Sequence, residues 1–209
     1  MYFDTMQIIC FSEDACFAKN LDSFIIKNNI KRVTGNFEII KQLSILKSGN
    51  ISMGSIFFLN NQYFLSPFEK YAAVKAVSYE EFIAIGGLLR KDESFYKNYK
   101  DDLVLGNQLY DRYKSKNGRS YYCCIGKEIV ATASTYAESD SIAVISGVFT
   151  ESKYKGKGIG TFLLSVLKNE LINENKNIII YFFDKKLTSF YERIGVYKKA
   201  ICAKIEFFE

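Results

Sequence analysis

A mixed α/β fold, with a central sheet flanked by helices, is what the sequence predicts, and three features point to it. Apolar residues recur at helical spacing from Gly160 to Asn173, where Gly160, Leu163, Leu164, Leu167 and Leu171 fall at i, i+3, i+4, i+7 and i+11, with Lys and Glu on the other side. That helix lies between two strand-like runs, Ile142 to Thr150 and Ile178 to Phe183, the second continuous enough to be covered on both faces. The composition, 48% hydrophobic and 24% charged over 209 residues, is that of an ordinary globular protein.

The other elements follow in chain order. Glu13 to Asn28 has helical spacing at Phe17, Leu21, Phe24 and Ile25, and Phe37 to Leu46 repeats it at Ile39, Ile40, Leu43 and Leu46. Ile56 to Leu59, with Asn60-Asn61 beyond, reads as a strand and turn. Pro67, the only proline, interrupts an aromatic stretch with turn chemistry, which places a junction between a small N-terminal α/β domain, 1–66, and a larger unit, 67–209. Past it, Tyr71 to Ser78 reads as a strand, and Glu80 to Lys91 and Asp101 to Lys114 as helices. Ser120 to Ile125 and Ile129 to Tyr136 form a hairpin about Gly126-Lys127-Glu128. A short apolar stripe at Leu187, Phe190, Tyr191 and Ile194 ends at Gly195, and Ala200 to Phe208 closes the chain as a strand.

Composition also excludes chemistry. The chain contains no histidine, which removes Ser-His, Cys-His and His-metal mechanisms and leaves acid-base work to carboxylates, Tyr, Lys, Cys or water. Cys10, Cys16, Cys123, Cys124 and Cys202 form no C-x-x-C pair, so no metal site is expected and they read as small buried apolar residues. Their odd number, together with the lack of a leader or a long apolar run, predicts a cytoplasmic protein that engages no membrane. A formal net charge of +5 is too mild and dispersed to predict nucleic-acid binding, though it suits an anionic ligand.

The chemistry concentrates in Lys155-Gly156-Lys157-Gly158-Ile159-Gly160, set between the strand 142–150 and the helix after it. Glycines there let the main chain approach a phosphate, while the unpaired amides of the helix's first turn and its dipole supply positive potential. Lys153, Lys155 and Lys157 add charge. A solvated glycine turn into a helix is the plain alternative. A Rossmann fingerprint, G-x-G-x-x-G early in a βαβ unit, fails because the next strand, Ile178 to Phe183, carries no acidic residue, and a Walker loop fails because no G-x-x-x-x-G-K-[ST] occurs.

The loop resembles the acetyl-CoA loop of the GNAT superfamily of N-acetyltransferases, [QR]-x-x-G-x-[GA], with Lys155 standing at the Arg or Gln position. The likeness continues through Thr161-Phe162-Leu163-Leu164 and through Phe190-Tyr191-Glu192-Arg193-Ile194-Gly195, and counted generously spans Tyr71 to Phe208. It implies a GNAT-like acyl-CoA-binding fold with a central mixed sheet flanked by helices, in which acyl-CoA lies in a V between the strands 142–150 and 178–183. On that mapping Val148 and Thr150 bond the pantetheine through their main chain, and Lys155, Gly156, Lys157, Gly158, Ile159, Gly160 and Thr161 hold the pyrophosphate. Acetyl-CoA is then the cosubstrate, and a primary amine attacks its thioester directly in a ternary complex.

Tyr191 matches the tyrosine that many relatives place near the thioester sulfur as general acid, although it also sits on an apolar stripe and packing alone would account for it. No carboxylate stands in 142–148, where some relatives carry a base; Glu138 and Asp140 just before it are the candidates, against a plain solvated-turn reading. Cys123-Cys124 reads as packing rather than as a nucleophile. The acceptor is not legible, although Phe95, Tyr96, Tyr99, Tyr110 and Tyr113 are candidates for its pocket or for the core. A non-catalytic acyl-CoA-binding or regulatory module is the alternative function, and a structural protein whose loop binds nothing is a third. Capping the site, homodimerisation and a decayed repeat are the roles left open to the N-terminal unit.

Overall fold

Alternation and helical spacing resolve into nine strands and seven α-helices among the residues that the computed structural model describes, 7–10, 17–66 and 70–208. In chain order these are β1 (Gln7–Cys10), α1 (Phe17–Lys27), β2 (Arg32–Asn36), α2 (Phe37–Leu46), β3 (Gly49–Leu59) and β4 (Val74–Lys75). Next come α3 (Tyr79–Leu89), α4 (Glu93–Asn98), α5 (Asp102–Lys114), β5 (Ser120–Ile125), β6 (Glu128–Glu138) and β7 (Ile142–Thr150). The chain closes with α6 (Ile159–Asn173), β8 (Asn177–Phe182), α7 (Thr188–Glu192) and β9 (Val196–Phe207).

The helices start where side chains satisfy their orphan donors. Ser78 and Glu81 form a reciprocal capping box on α3, and Asp92 and Asp101 accept first-turn N–H groups of α4 and α5. Such caps contribute about 1 kcal/mol each. The expected helix over 13–28 is observed from Phe17; its first residues fall outside the described ones, as do Cys16 and Pro67.

One mixed sheet runs β1-β2-β9-β3-β8-β7-β6-β5-β4, with β1/β2 and β7/β8 parallel and the other pairs antiparallel. Neighbouring residues on one strand separate its faces. Tyr121 packs in the cluster built on Leu163, Leu164, Leu167 and Leu171 of α6, whereas Tyr122 packs with Phe82, Leu88 and Leu105 of α3 and α5. A third cluster joins Leu21, Ile25, Ile40 and Leu43 of α1 and α2 to Val33, Ala203 and Ile205.

The junction expected at 66/67 does not divide this sheet. β3, on its N-terminal side, is hydrogen bonded between β8 and β9, and its Phe57 and Leu59 belong to the same cluster as α6. The strand expected at Tyr71 to Ser78 shrinks to Val74–Lys75, and the cysteines are not uniformly buried, since Cys124 is exposed beside a register shift while Cys123 and Cys202 are buried. No helix among the described residues is long and apolar enough to cross a membrane, and none of them form a group of three or more metal-ligating side chains.

Candidate active site

The strand-loop-helix that the sequence singled out forms an anion cradle. β7 leaves the sheet at Thr150, makes a 3-10 turn at Ser152–Tyr154, and reaches α6 through Gly156 and Gly158, which have φ of 76° and 83°. Left-handed residues alternating with ordinary ones turn successive amides toward one concave side. Gly158 caps α6 without a side-chain hydrogen bond, and the first turn of α6 holds no acidic residue. The first main-chain bond back to the cap is Phe162 N–H to the Gly158 carbonyl at 2.9 Å, so the amides of Ile159, Gly160 and Thr161 keep their donors for an external anion.

Around the cradle, Tyr71 Oη donates to the Lys157 carbonyl at 3.0 Å and fixes the loop from outside. Lys153 is paired with Glu128 at 2.9 Å. Lys155 and Lys157 make no ion pair among the described residues; their ammonium groups lie over the rings of Phe149 and Tyr154, at 5.6 and 5.1 Å.

From the cradle the cleft runs between β7 and β8, and a single glycine opens it. The two strands pair only from Ile142/Asn177 to Ile145/Ile180. Past that point β7 carries one residue more than β6 between the pairs Ser134/Ser146 and Thr132/Phe149, with Gly147 at φ 63°. That bulge bends β7 away from β8 and leaves the backbone of Ser146 to Thr150 unpaired on the cleft side. The resulting cleft has a volume of ≈ 1140 Å³. Val148, Thr150, Lys155, Gly156, Gly158, Ile159, Gly160 and Thr161 all line it, and Lys157 does not.

Tyr191 lines the same cleft, 6% exposed, with its ring 5.1 Å from Phe182 and 5.0 Å from Phe190. Burial alone pushes its hydroxyl well above the usual phenol range, so the O–H stays protonated. Lys168 supports the turn beyond it. This lysine was expected on the polar side of its helix; it is 1% exposed, and its Nζ donates to the Ile194 carbonyl at 2.7 Å and to Asn60 Oδ1 at 3.0 Å. Its place four residues after Leu164, on the apolar stripe, is the signal that finds it.

Glu138 is not brought to the cleft. Its carboxylate is buried among donors: Arg119 Nε and Nη2 at 2.8 and 2.5 Å, Lys176 Nζ at 2.6 Å and Thr135 Oγ1 at 2.6 Å. Burial works to raise its pKa, but those partners outweigh it and hold the carboxyl below the ordinary range. With its lone pairs spent on a structural ion cluster, Glu138 is corrected from candidate base to sheet-end support. Asp140 is exposed at the turn before β7.

Of the aromatic candidates, Phe95 and Tyr99 line the far end of the cleft. Tyr110 and Tyr113 pack on Phe82, and Tyr96 stands exposed beside Arg90. Residues that patterning passed over, Arg32, Arg112, Tyr136, Tyr181 and Lys204, complete that end.

The sequence model of the Acetyltransferase (GNAT) family matches residues 83–196, more than half of the chain. No curated protein matches in sequence. Among solved structures, the chain is similar to a GCN5-related N-acetyltransferase from Kribbella flavida, with TM-score 0.68 and 14% identity over 96% of this chain and 78% of that one. It is similar to a predicted acetyltransferase with acetyl-CoA from Clostridium acetobutylicum, with TM-score 0.52 and 19% identity over 61% of this chain and 90% of that one. It also spans 64% of the length of a GNAT-family chain from Novosphingobium aromaticivorans, with TM-score 0.57 and 14% identity over 75% of this chain.

Proposed function

The chain belongs to the GNAT acetyltransferase family, and from that premise we propose that it is an N-acetyltransferase, moving the acetyl group of acetyl-CoA to a primary amine by direct attack in a ternary complex. The carrying observation is the continuity of three features in one cleft: the cradle at 156–161, the unpaired edge of β7, and the buried hydroxyl of Tyr191.

Acetyl-CoA supplies the activated thioester. The amides of Ile159, Gly160 and Thr161, with Gly156, Gly158 and the Lys155 charge, suit its pyrophosphate. The free main-chain groups of Ser146 to Thr150 suit its pantetheine amides as a further strand suits a sheet edge. When the amine nitrogen bonds to the carbonyl carbon, the carbon-sulfur bond breaks and the thiolate takes a proton; the neutral hydroxyl of Tyr191 is the donor. The amine sheds its own proton to water, because the acidic side chains lining the cleft are engaged at its edges: Asp92 caps α4, Glu93 pairs with Lys97, and Asp184 accepts from Lys186 N–H.

Incubation with acetyl-CoA and a mixed amine panel tests this, read as thiol release. Release that depends on an amine is expected. A rise in Tm with acetyl-CoA but no release with any amine supports instead the acyl-CoA-binding module, which the engagement of Glu138 in the Arg119 cluster favours.

A further inference from the structure

The far end of the cleft lies on the sheet face opposite α6, beneath α4 and α5, and one of the cations lining it has no carboxylate partner among the described residues. Arg32, Arg112 and Lys204 all line it. Glu206 serves two of them, bonding Arg32 Nη2 at 2.7 Å and Lys204 Nζ at 3.2 Å. Arg32 is further committed through Nη1 to Asn98 Oδ1 at 2.7 Å. Arg112 has no carboxylate partner among the described residues. Its guanidinium lies over the Tyr136 ring at 4.1 Å and donates from Nη2 to Gln108 Oε1 at 3.3 Å, which holds the planar fork in place without neutralising it.

Phenols surround it. Burial raises the Tyr99 pKa to about 12 even with the Arg112 charge beside it, and burial raises those of Tyr136 and Tyr181 as well. All three hydroxyls are therefore neutral, and that of Tyr99 is hydrogen bonded to Arg112.

We propose that this end binds a carboxylate carried by the acceptor itself, anchored by Arg112, so that the acceptors are amino acids and related amines bearing a carboxylate. The inference rests on the acetyltransferase reading and adds the acceptor class to it. A planar two-oxygen anion fits one guanidinium fork that has no carboxylate partner among the described residues. A phosphate or phosphonate dianion would want a second free cation or an open helix N-terminus, and the N-terminus of α4 is already taken by Asp92. A polyamine would bring a further cation beside Arg112, whose charge no carboxylate among the described residues neutralises.

The test is thiol release from acetyl-CoA with L-amino acids, their C-terminal amides and aminoalkylphosphonates as matched arms. Amino acids should exceed their amides in kcat/KM by at least about tenfold, and Arg112→Gln should bring that ratio near one by lowering kcat/KM for the amino acids roughly 10- to 100-fold. Arg112→Lys should recover part of the loss, and the acetyl-CoA Kd should stay within about threefold in both variants, which also reports that they fold. Amides used as well as acids, phosphonates preferred, an Arg112→Gln ratio unchanged, or acetyl-CoA binding with turnover of no amino acid would each overturn the inference alone. No Tm shift with acetyl-CoA would overturn the acetyltransferase reading and the inference together.

Discussion

Lys168 Nζ lies 2.7 Å from the Ile194 carbonyl oxygen, which joins the helix that begins at the anion cradle to the turn that follows Tyr191. The turn is closed from both sides. Ile194 N–H donates to the Tyr191 carbonyl at 3.0 Å, and Asn60, the second acceptor of Lys168, donates its own N–H to the Gly195 carbonyl at 2.8 Å. A buried amine at this node therefore couples the two halves of the site through the end of β3.

Burial lowers the Lys168 pKa to about 8 from an ordinary value of 10.5, and the sign of the consequence is fixed. Below pH 8 the lysine is charged in both folded and unfolded chains, and the fold carries the desolvation cost. Between pH 8 and 10.5 the folded chain has lost that proton while the unfolded chain still holds it, so stability rises with pH. The stability of wild type relative to Lys168→Met should increase across this window by up to about 3 kcal/mol. A flat difference between the two denaturation series from pH 7 to 10.5 would remove Lys168 as a buried titrating group.

Tyr191→Phe keeps the ring against Phe182 and Phe190 and deletes only the hydroxyl. Turnover should fall roughly 100-fold, as expected for loss of a general acid, with the acetyl-CoA Kd within about threefold of wild type. Steady-state kinetics beside calorimetric binding separates the two, and unchanged turnover would show that the thiolate takes its proton elsewhere.

Much of this was legible in the sequence where the pattern is local. The span Ile142 to Thr150, the α2 bounds and the α6 stripe are periodic over nine or more residues and are observed as expected. What escaped is long-range. β2 is a five-residue strand of mixed polarity, Arg32 to Asn36, whose place is set by pairing with β9 at the far end of the chain. The same distance hid the Glu138 partners, since Arg119 lies 19 residues away across the β5–β6 hairpin and Lys176, 38 residues on, meets it only once α6 has crossed the sheet. Gly147, which opens the cleft, did leave a signal, because a glycine inside an otherwise apolar strand marks a bulge.

The cluster around Arg119 should make the fold acid-sensitive without touching chemistry. Hydrogen bonds from Arg119 hold the Glu174 carboxyl at about 2, and for Glu138 and Glu170 the cationic and hydroxyl partners outweigh burial and keep both below 4.5. Carboxyls with depressed folded values stabilise above the unfolded value and lose that contribution as pH falls from about 4.5 toward 2. Tm should drop steeply over that range, and less steeply in Arg119→Met. Glu138→Gln should cost about 3 kcal/mol while leaving kcat within roughly threefold. A hundredfold loss of kcat in a folded Glu138→Gln would restore Glu138 as the base.

Gly158→Ala tests the cradle against a matched control elsewhere in the chain. Gly158 sits at φ 83° as the cap of α6, and Gly126 at φ 64° in the β5–β6 turn, where an added Cβ meets nothing within 4 Å. An L residue forced into the left-handed region costs about 1–2 kcal/mol in either place, so both variants should lose similar stability. Only at 158 does relief of that strain rotate amides away from the concave side that faces the cleft. The acetyl-CoA Kd should therefore rise about tenfold or more in Gly158→Ala and stay near wild type in Gly126→Ala, with both Tm values a few degrees lower. Equal Kd values in the two variants would mean that acetyl-CoA is held without the glycine cradle, and the pyrophosphate would then have to be assigned to the Lys155 side chain, which lines the cleft.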